Sequence, residues 1–305
     1  MIKYILKRVV SAVITMLFII TITFVLMKCI PGDPFMDKKM PNPEIRAAMY
    51  AKYGLDKPLF TQYILYLKNF VRGDFGVSYT RAGLTVQKII GDGFPYSLVI
   101  GIYATCLVIF IGISMGIISA LKQNKLIDRL LMILATLGAT IPSFVLATGF
   151  LFLFSKTLGW VPAFGVPNLR GYIGPVITIS VFSIAFVTRL TRTSVLEVLQ
   201  QDYIRTARSK GISELRVIVI HALRNALLPI VTYLGPMMAG ILTGSFVIEK
   251  VFGIPGIGSL FTLSIMNRDY TMIMGITVFF AIILIFVVLL VDILYVIIDP
   301  RIKYD

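Results

Sequence analysis

Six stretches of the chain, residues 9–27, 97–121, 130–155, 171–188, 225–248 and 270–291, contain no Asp, Glu, Lys or Arg. Each approaches the roughly 20 apolar residues that a helix needs to cross a hydrocarbon core of about 30 Å. Backbone groups in lipid must be satisfied within the segment, so runs of this kind fold as helices. The expected fold is therefore an all-α polytopic membrane protein with six transmembrane helices, the fourth continuing to 192 and the sixth to 298.

Composition agrees: 57% of the 305 residues are hydrophobic and 14% charged, against about 25% charged in soluble domains. A soluble enzyme is excluded. The first run follows Lys3, Lys7 and Arg8 as a signal peptide would, but it exceeds the 7–15 apolar residues typical of one and lacks a small-x-small site. It is expected to remain as the first helix. A seventh apolar run, 251–267, has three Gly and one Pro in its first eight residues. Such a segment suits an external loop over 249–269 with a short helix packed on protein. Cys29 and Cys106 are the only cysteines, and a disulfide scaffold is not expected.

Charge fixes direction. Lys and Arg exceed Asp and Glu by 29 to 15, and the excess falls in alternate loops. Lys3, Lys7 and Arg8, then Lys122, Lys125 and Arg129, then seven cations from Arg189 to Arg224, then Arg301 and Lys303 lie on one side. Lys156, Arg170, Lys250 and Arg268 lie on the other. The positive-inside rule places both termini in the cytoplasm. The segment 31–96 carries nine cations but is long enough to be exported regardless. In it Tyr63, Leu67 and Phe70 recur at helical spacing, which predicts an external amphipathic helix, either a cap on the bundle or a dock for an external partner.

The chain carries no chemistry that would drive transport alone. GIPGIGS (253–259) lacks the lysine of a phosphate-binding loop. Asp292 is the only acid expected at depth, as a relay or a capping group, whereas ion-coupled carriers need several. The single His221 has no neighbouring metal ligands and no nucleophile to serve. The basic loop around Arg205–Lys210 lacks stacking aromatics, so nucleic acid is not an expected partner and membrane lipid is.

The most informative segment is the cytoplasmic loop 194–224. Ile204, Ala207, Gly211 and Leu215 recur at helical spacing while Arg205, Arg208 and Lys210 project elsewhere, which predicts a short amphipathic helix interrupted at Gly211. One reading lays it in the headgroups. The other seats it in a groove of a cytoplasmic protein, with Ala207 and Gly211 permitting close approach and Asp202 and Glu214 bracketing it.

Asp202 to Gly211, followed by Leu227-Leu228-Pro229, resembles the loop of ATP-binding-cassette importer membrane subunits. Arg205-Thr206-Ala207 stands where sugar importers have Glu-Ala-Ala, and the gap to the proline is longer. Those departures are similar to the oligopeptide-permease B branch, which also takes in dipeptide and nickel permeases. ILKRVV, PGDPF (31–35), YGLDKPLFTQY (53–63), GDFGVSY (73–79), IPSF (141–144), TGSFVIEKVFGIPGIGS (243–259), NRDYTMIMG (267–275) and DPRIK (299–303) resemble that branch in order along the chain.

The resemblance implies a type I importer permease in a bacterial cytoplasmic membrane, non-catalytic itself. It would pair with a homologous second permease, two cytoplasmic ATPases that hold ATP and Mg, and an external lipoprotein or receptor delivering peptides. A self-sufficient secondary carrier is the rival. By carry-over Asp202, Ile204, Arg205, Ala207, Arg208 and Gly211 would form the ATPase-coupling helix. Pro142, Pro229, Pro236 and Gly244 are candidates for helix kinks along a pathway. Gly253, Pro255, Gly256 and Gly258 are candidates for an outer gate, a receptor contact or a scaffold. No metal site and no cofactor are expected in this chain.

Overall fold

A computed structural model describes the backbone of residues 2–29, 47, 50–51, 53–81 and 83–298, with side chains from 8 to 291 within those ranges. PGDPF (31–35), DPRIK (299–303) with Arg301 and Lys303, and the side chains of Lys3, Lys7 and Asp292 lie outside the described residues. In chain order the main helices are α1 (Ile2–Cys29), α2 (Leu59–Val71), α3 (Val86–Leu121), α4 (Leu126–Thr140), α5 (Ser143–Thr157), α6 (Ile173–Leu199), α7 (Asp202–Ser209), α8 (Leu228–Leu242), α9 (Phe246–Val251), α10 (Ile257–Met266) and α11 (Tyr270–Ile298). Among the described residues five segments are long and apolar enough to cross a membrane, and the pair α4 and α5 supplies a sixth if taken as one span.

Three of the expected spans differ from the observed helices. The second begins at Val86 rather than Ser97, because the amphipathic stretch before it continues the same helix. The third is not straight: α4 and α5 meet at 101°. Pro142 disfavours the helical region for its predecessor, and Ile141 is extended (φ −74°, ψ 123°). The fifth breaks at Thr243–Ser245, where Gly244 adopts φ +84° and the Ser245 hydroxyl accepts from the Ile248 N–H, starting α9. Pro229 does not kink a span. It occupies the first turn of α8, where its missing N–H costs nothing, whereas Pro236 lies inside α8. The run 251–267 becomes α10, ten residues long and too short to span.

The chain divides into two compact units. Met1–Pro95 with Gly256–Ile285 form the first, and Tyr96–Pro255 with Phe286–Asp305 the second. In the first, Val86, Ile89 and Ile90 pack against Ile257, Met272 and Ile276. The Tyr63 hydroxyl of α2 meets the Thr21 hydroxyl of α1 at 2.7 Å. Buried Asp269 accepts from the Ser78 hydroxyl, the Tyr79 and Thr80 N–H groups at 3.1 and 3.2 Å, and the Thr80 hydroxyl at 2.8 Å, tying the loop before α3 to the start of α11.

In the second unit α6 is the central helix. Its buried face is small and hydroxyl-rich, with Gly174, Thr178, Ser180, Ser183, Ala185, Thr188, Thr191 and Ser194. Helices in lipid associate by close packing of small residues, since lipid supplies little hydrophobic drive. A methyl on Gly116 of α3 would stand 2.5 Å from the Thr191 Cβ. On the side that the charge rule marks as cytoplasmic, Asp128 of α4 is buried and accepts from the Ser119 hydroxyl at 2.5 Å and the Asn124 N–H at 2.8 Å. Arg192 of α6 adds a two-pronged pair at 2.7 and 2.8 Å, so one carboxylate links α3, α4 and α6.

Candidate functional site

Helix α7 is built to present one face. Gln201 precedes it in an extended conformation and Asp202 opens its first turn, where an acid complements the helix dipole. The Thr206 and Ser209 hydroxyls donate back to the Asp202 and Arg205 carbonyls at 3.0 Å each. The helix stops at Lys210 because Gly211 turns left-handed, φ +75°, a conformation that costs an L side chain about 1–2 kcal/mol. The Gly211 N–H closes on the Arg208 carbonyl at 2.9 Å.

Ile204 and Ala207 do not face outward. Both are buried in a cluster with Val217 and Ala222, against Val198, Leu199 and Ile212. This corrects the expectation that Ala207 serves close approach of a partner: the close approach is to the chain's own following segment. Leu215, expected on the same face, is 74% exposed. The periodicity breaks because Gly211 redirects the backbone between them. What faces solvent is Asp202, Tyr203, Arg205, Thr206, Arg208, Ser209 and Lys210.

Two polar links hold the turn after α7. Arg208 pairs with Glu214 across Gly211, Nε to Oε2 at 3.1 Å and an Nη to Oε1 at 2.6 Å. The hydrogen-bonded guanidinium holds the Glu214 carboxyl below its ordinary range, and the carboxylate raises Arg208 in turn. The Asn225 amide donates to the Tyr203 hydroxyl at 2.8 Å. Arg205 and Asp202 stand 3.8 Å apart and are almost fully exposed, so that contact contributes little.

The other candidates, apart from Gly256 and Gly258, fall elsewhere in the second unit. Pro142 sits at the α4–α5 bend and Gly244 at the break before α9, and a cavity of about 330 Å³ is lined by residues of both breaks, among them Pro142, Ser143 and Ser245. Gly253 (φ +65°) lies under the Phe164 ring, which leaves no room for a Cβ. The Gly165 N–H donates to the Phe252 carbonyl at 2.7 Å. Pro255 ends the Tyr96–Pro255 segment of that unit. Gly256 and Gly258 belong to the other, where Gly256 caps α10 and Gly258 is buried in its first turn.

Glu249 was missed by sequence. It is 1% exposed, accepts from the Ser97 hydroxyl at 2.7 Å, and packs directly on Gly244. A buried acid therefore also lies within the fifth candidate span, Leu228–Val251. The signal was an acid abutting the run 225–248, which reads as a loop charge unless the span breaks and folds it back. Among the described residues no three His, Cys, Asp or Glu side chains gather as a metal site.

Residues 112–304 match the family model described as binding-protein-dependent transport system inner membrane component. The chain belongs to that family. Residues 1–101 match the model of the N-terminal region of such membrane components. This transport-system component is 46% identical to the dipeptide transport system permease protein of Bacillus subtilis over 99% of this chain and 98% of that one. It is 43% identical to the oligopeptide transport system permease protein of Haemophilus influenzae over the full length of both. Its fold is similar to a chain of the MetNI methionine ABC transporter in an inward-facing conformation, with a TM-score of 0.56, 13% identity, and 70% of this chain and 97% of that chain covered. The component is thus a multi-pass permease subunit of an ABC importer, without catalytic activity of its own.

Proposed function

We propose that the chain forms half of a peptide translocation pathway, coupled to ATP hydrolysis through the solvent-facing side of α7. The observation that carries the coupling is that α7 spends its apolar residues on its own chain and turns Asp202, Tyr203, Arg205, Thr206 and Ser209 outward. A helix lying in headgroups would turn its apolar side to the membrane. A polar, rigidly seated knob suits a groove on a cytoplasmic protein.

On this reading a homologous second permease completes the pathway, and two ATPases, holding ATP and Mg, receive one such helix from each permease. An external receptor supplies the peptide. The bends at Pro142 and Gly244, with Pro236 inside α8, let the helices rock between two states. Gly253 and Pro255 shape the loop that the receptor would meet. Peptide cargo is supported by identity to oligopeptide permeases, and the 46% identity to a dipeptide permease favours short peptides as a second reading.

The test is peptide uptake and ATP hydrolysis by the assembled importer in proteoliposomes. Arg205→Glu reverses a charge on the outward face and touches no packing, so it should leave the complex folded and hydrolysing ATP while uptake falls at least about tenfold, the weight of 1.4 kcal/mol of lost coupling. Uptake at the wild-type rate would remove α7 from the coupling path.

A further inference from the structure

The last turns of α5, Leu151–Thr157, are wound as π-helix, which is rare, frequently marks functional sites and widens the spacing of side chains. Between this widened end and the first turns of α6 lies a cavity of about 440 Å³ whose walls include Phe150, Phe154, Trp160, Arg170, Ile173 and Ile177. Its trough is apolar and its rim carries Trp160 and Arg170, both exposed. Among the described residues the Arg170 guanidinium has no hydrogen-bond or ion-pair partner. No Asp or Glu occurs between Asp128 and Glu197, so no acid neighbours Arg170 along the chain.

Depth follows from the charge rule. Arg170 and Lys156 are the cations of an outer loop, and a tryptophan beside them fits the belt where amphipathic rings sit at headgroup level. A guanidinium at that level is suited to a phosphate fork, and the trough of Phe150, Phe154, Ile173 and Ile177 to an acyl chain. Aromatic rings continue from the cavity: Trp160 to Phe154 at 5.7 Å, Phe154 to Phe150 at 4.5 Å, Phe150 to Phe252 at 6.3 Å. Phe252 adjoins Gly253.

We propose that this cavity binds one anionic phospholipid of the outer leaflet, its phosphate on Arg170 and an acyl chain along the trough. The site is independent of which solute the permease carries.

Trp160 is the only tryptophan in the chain, so it reports on its own site. The full chain is reconstituted in phosphatidylcholine vesicles, and quenching of its fluorescence is titrated with brominated phosphatidylglycerol and, separately, brominated phosphatidylcholine. The phosphatidylglycerol should quench at lower mole fraction, and Arg170→Gln should weaken its apparent affinity about fivefold, the effect of one cation at a membrane surface. Lys156→Gln, outside the cavity wall, should retain the preference. Equal quenching by the two lipids, or a preference that survives Arg170→Gln, would overturn the site. Loss of quenching on adding inorganic phosphate would assign the cavity to a free anion instead. No quenching by either lipid would mean that protein covers the groove, which also sinks the proposal.

Discussion

Two glycines of one segment make opposite demands. Gly244 has φ +84°, and a Cβ there would collide with the Glu249 carboxylate and stand 3.1 Å from the Ser97 hydroxyl. Gly240, in the last turns of α8, is helical with nothing within 4 Å of the same position. Gly244→Ala should therefore destabilise the detergent-solubilised chain by more than about 1 kcal/mol, while Gly240→Ala should be neutral or stabilising by up to about 1 kcal/mol. Thermal unfolding of the two variants side by side checks the sign. Equal effects would mean that Glu249 does not sit against Gly244. Sequence does not separate the two glycines, because spacing reveals neither the sign of φ nor an acid folded back from beyond the apolar run.

At the scale of elements, the turn after α7 is a place where pH acts. Glu214 has its folded-state pKa lowered by Arg208. Its contribution is therefore fully present above the unfolded value of about 4.3 and is lost as pH falls through the lower folded value. Both side chains are about half exposed, so the pair contributes less than about 1 kcal/mol. Amide exchange in Asp202–Ser209, corrected for intrinsic rates, should speed up below pH 4 in the wild type, and Glu214→Gln should show the faster exchange already at neutral pH. A variant as protected as the wild type at pH 7 would remove the pair from the account. The existence of this helix was legible from Ile204 and Ala207 and its end from Gly211. Which face it presents was not, since a hydrophobic period says that a face is buried without saying in what.

For the whole molecule, the transmembrane helices were legible because uncharged runs near 20 residues have few alternatives in lipid. Their breaks were harder to read. A proline at a bend, Pro142, and a proline in a first turn, Pro229, look the same until backbone geometry separates them. The buried carboxylates were hidden because each adjoins a loop charge cluster. The largest stability effect is expected at one of them. Arg192→Ala leaves Asp128 buried without its cation, and loss of one partner of a buried pair costs about 3–5 kcal/mol, here near the lower end because Arg192 keeps 23% of its side chain exposed. Asp128→Asn should cost less, since the Ser119 and Arg192 contacts change rather than vanish. Denaturation midpoints of the two variants rank them, and the reverse order would make the link a surface pair.

Ile204 and Ala207 form a buried cluster with Val217 and Ala222, and Val198 and Leu199 of the last turn of α6 pack against that cluster. A handle joined to a rod through a flexible tether takes up slack before it pulls. One seated against the rod's own end has less, so on the coupling proposed above a shift of an ATPase bound to α7 would pass to α6 with little loss. On that proposal, Ile204→Ala would lower stiffness rather than affinity: ATPase binding would persist while the motion was lost in bending the joint.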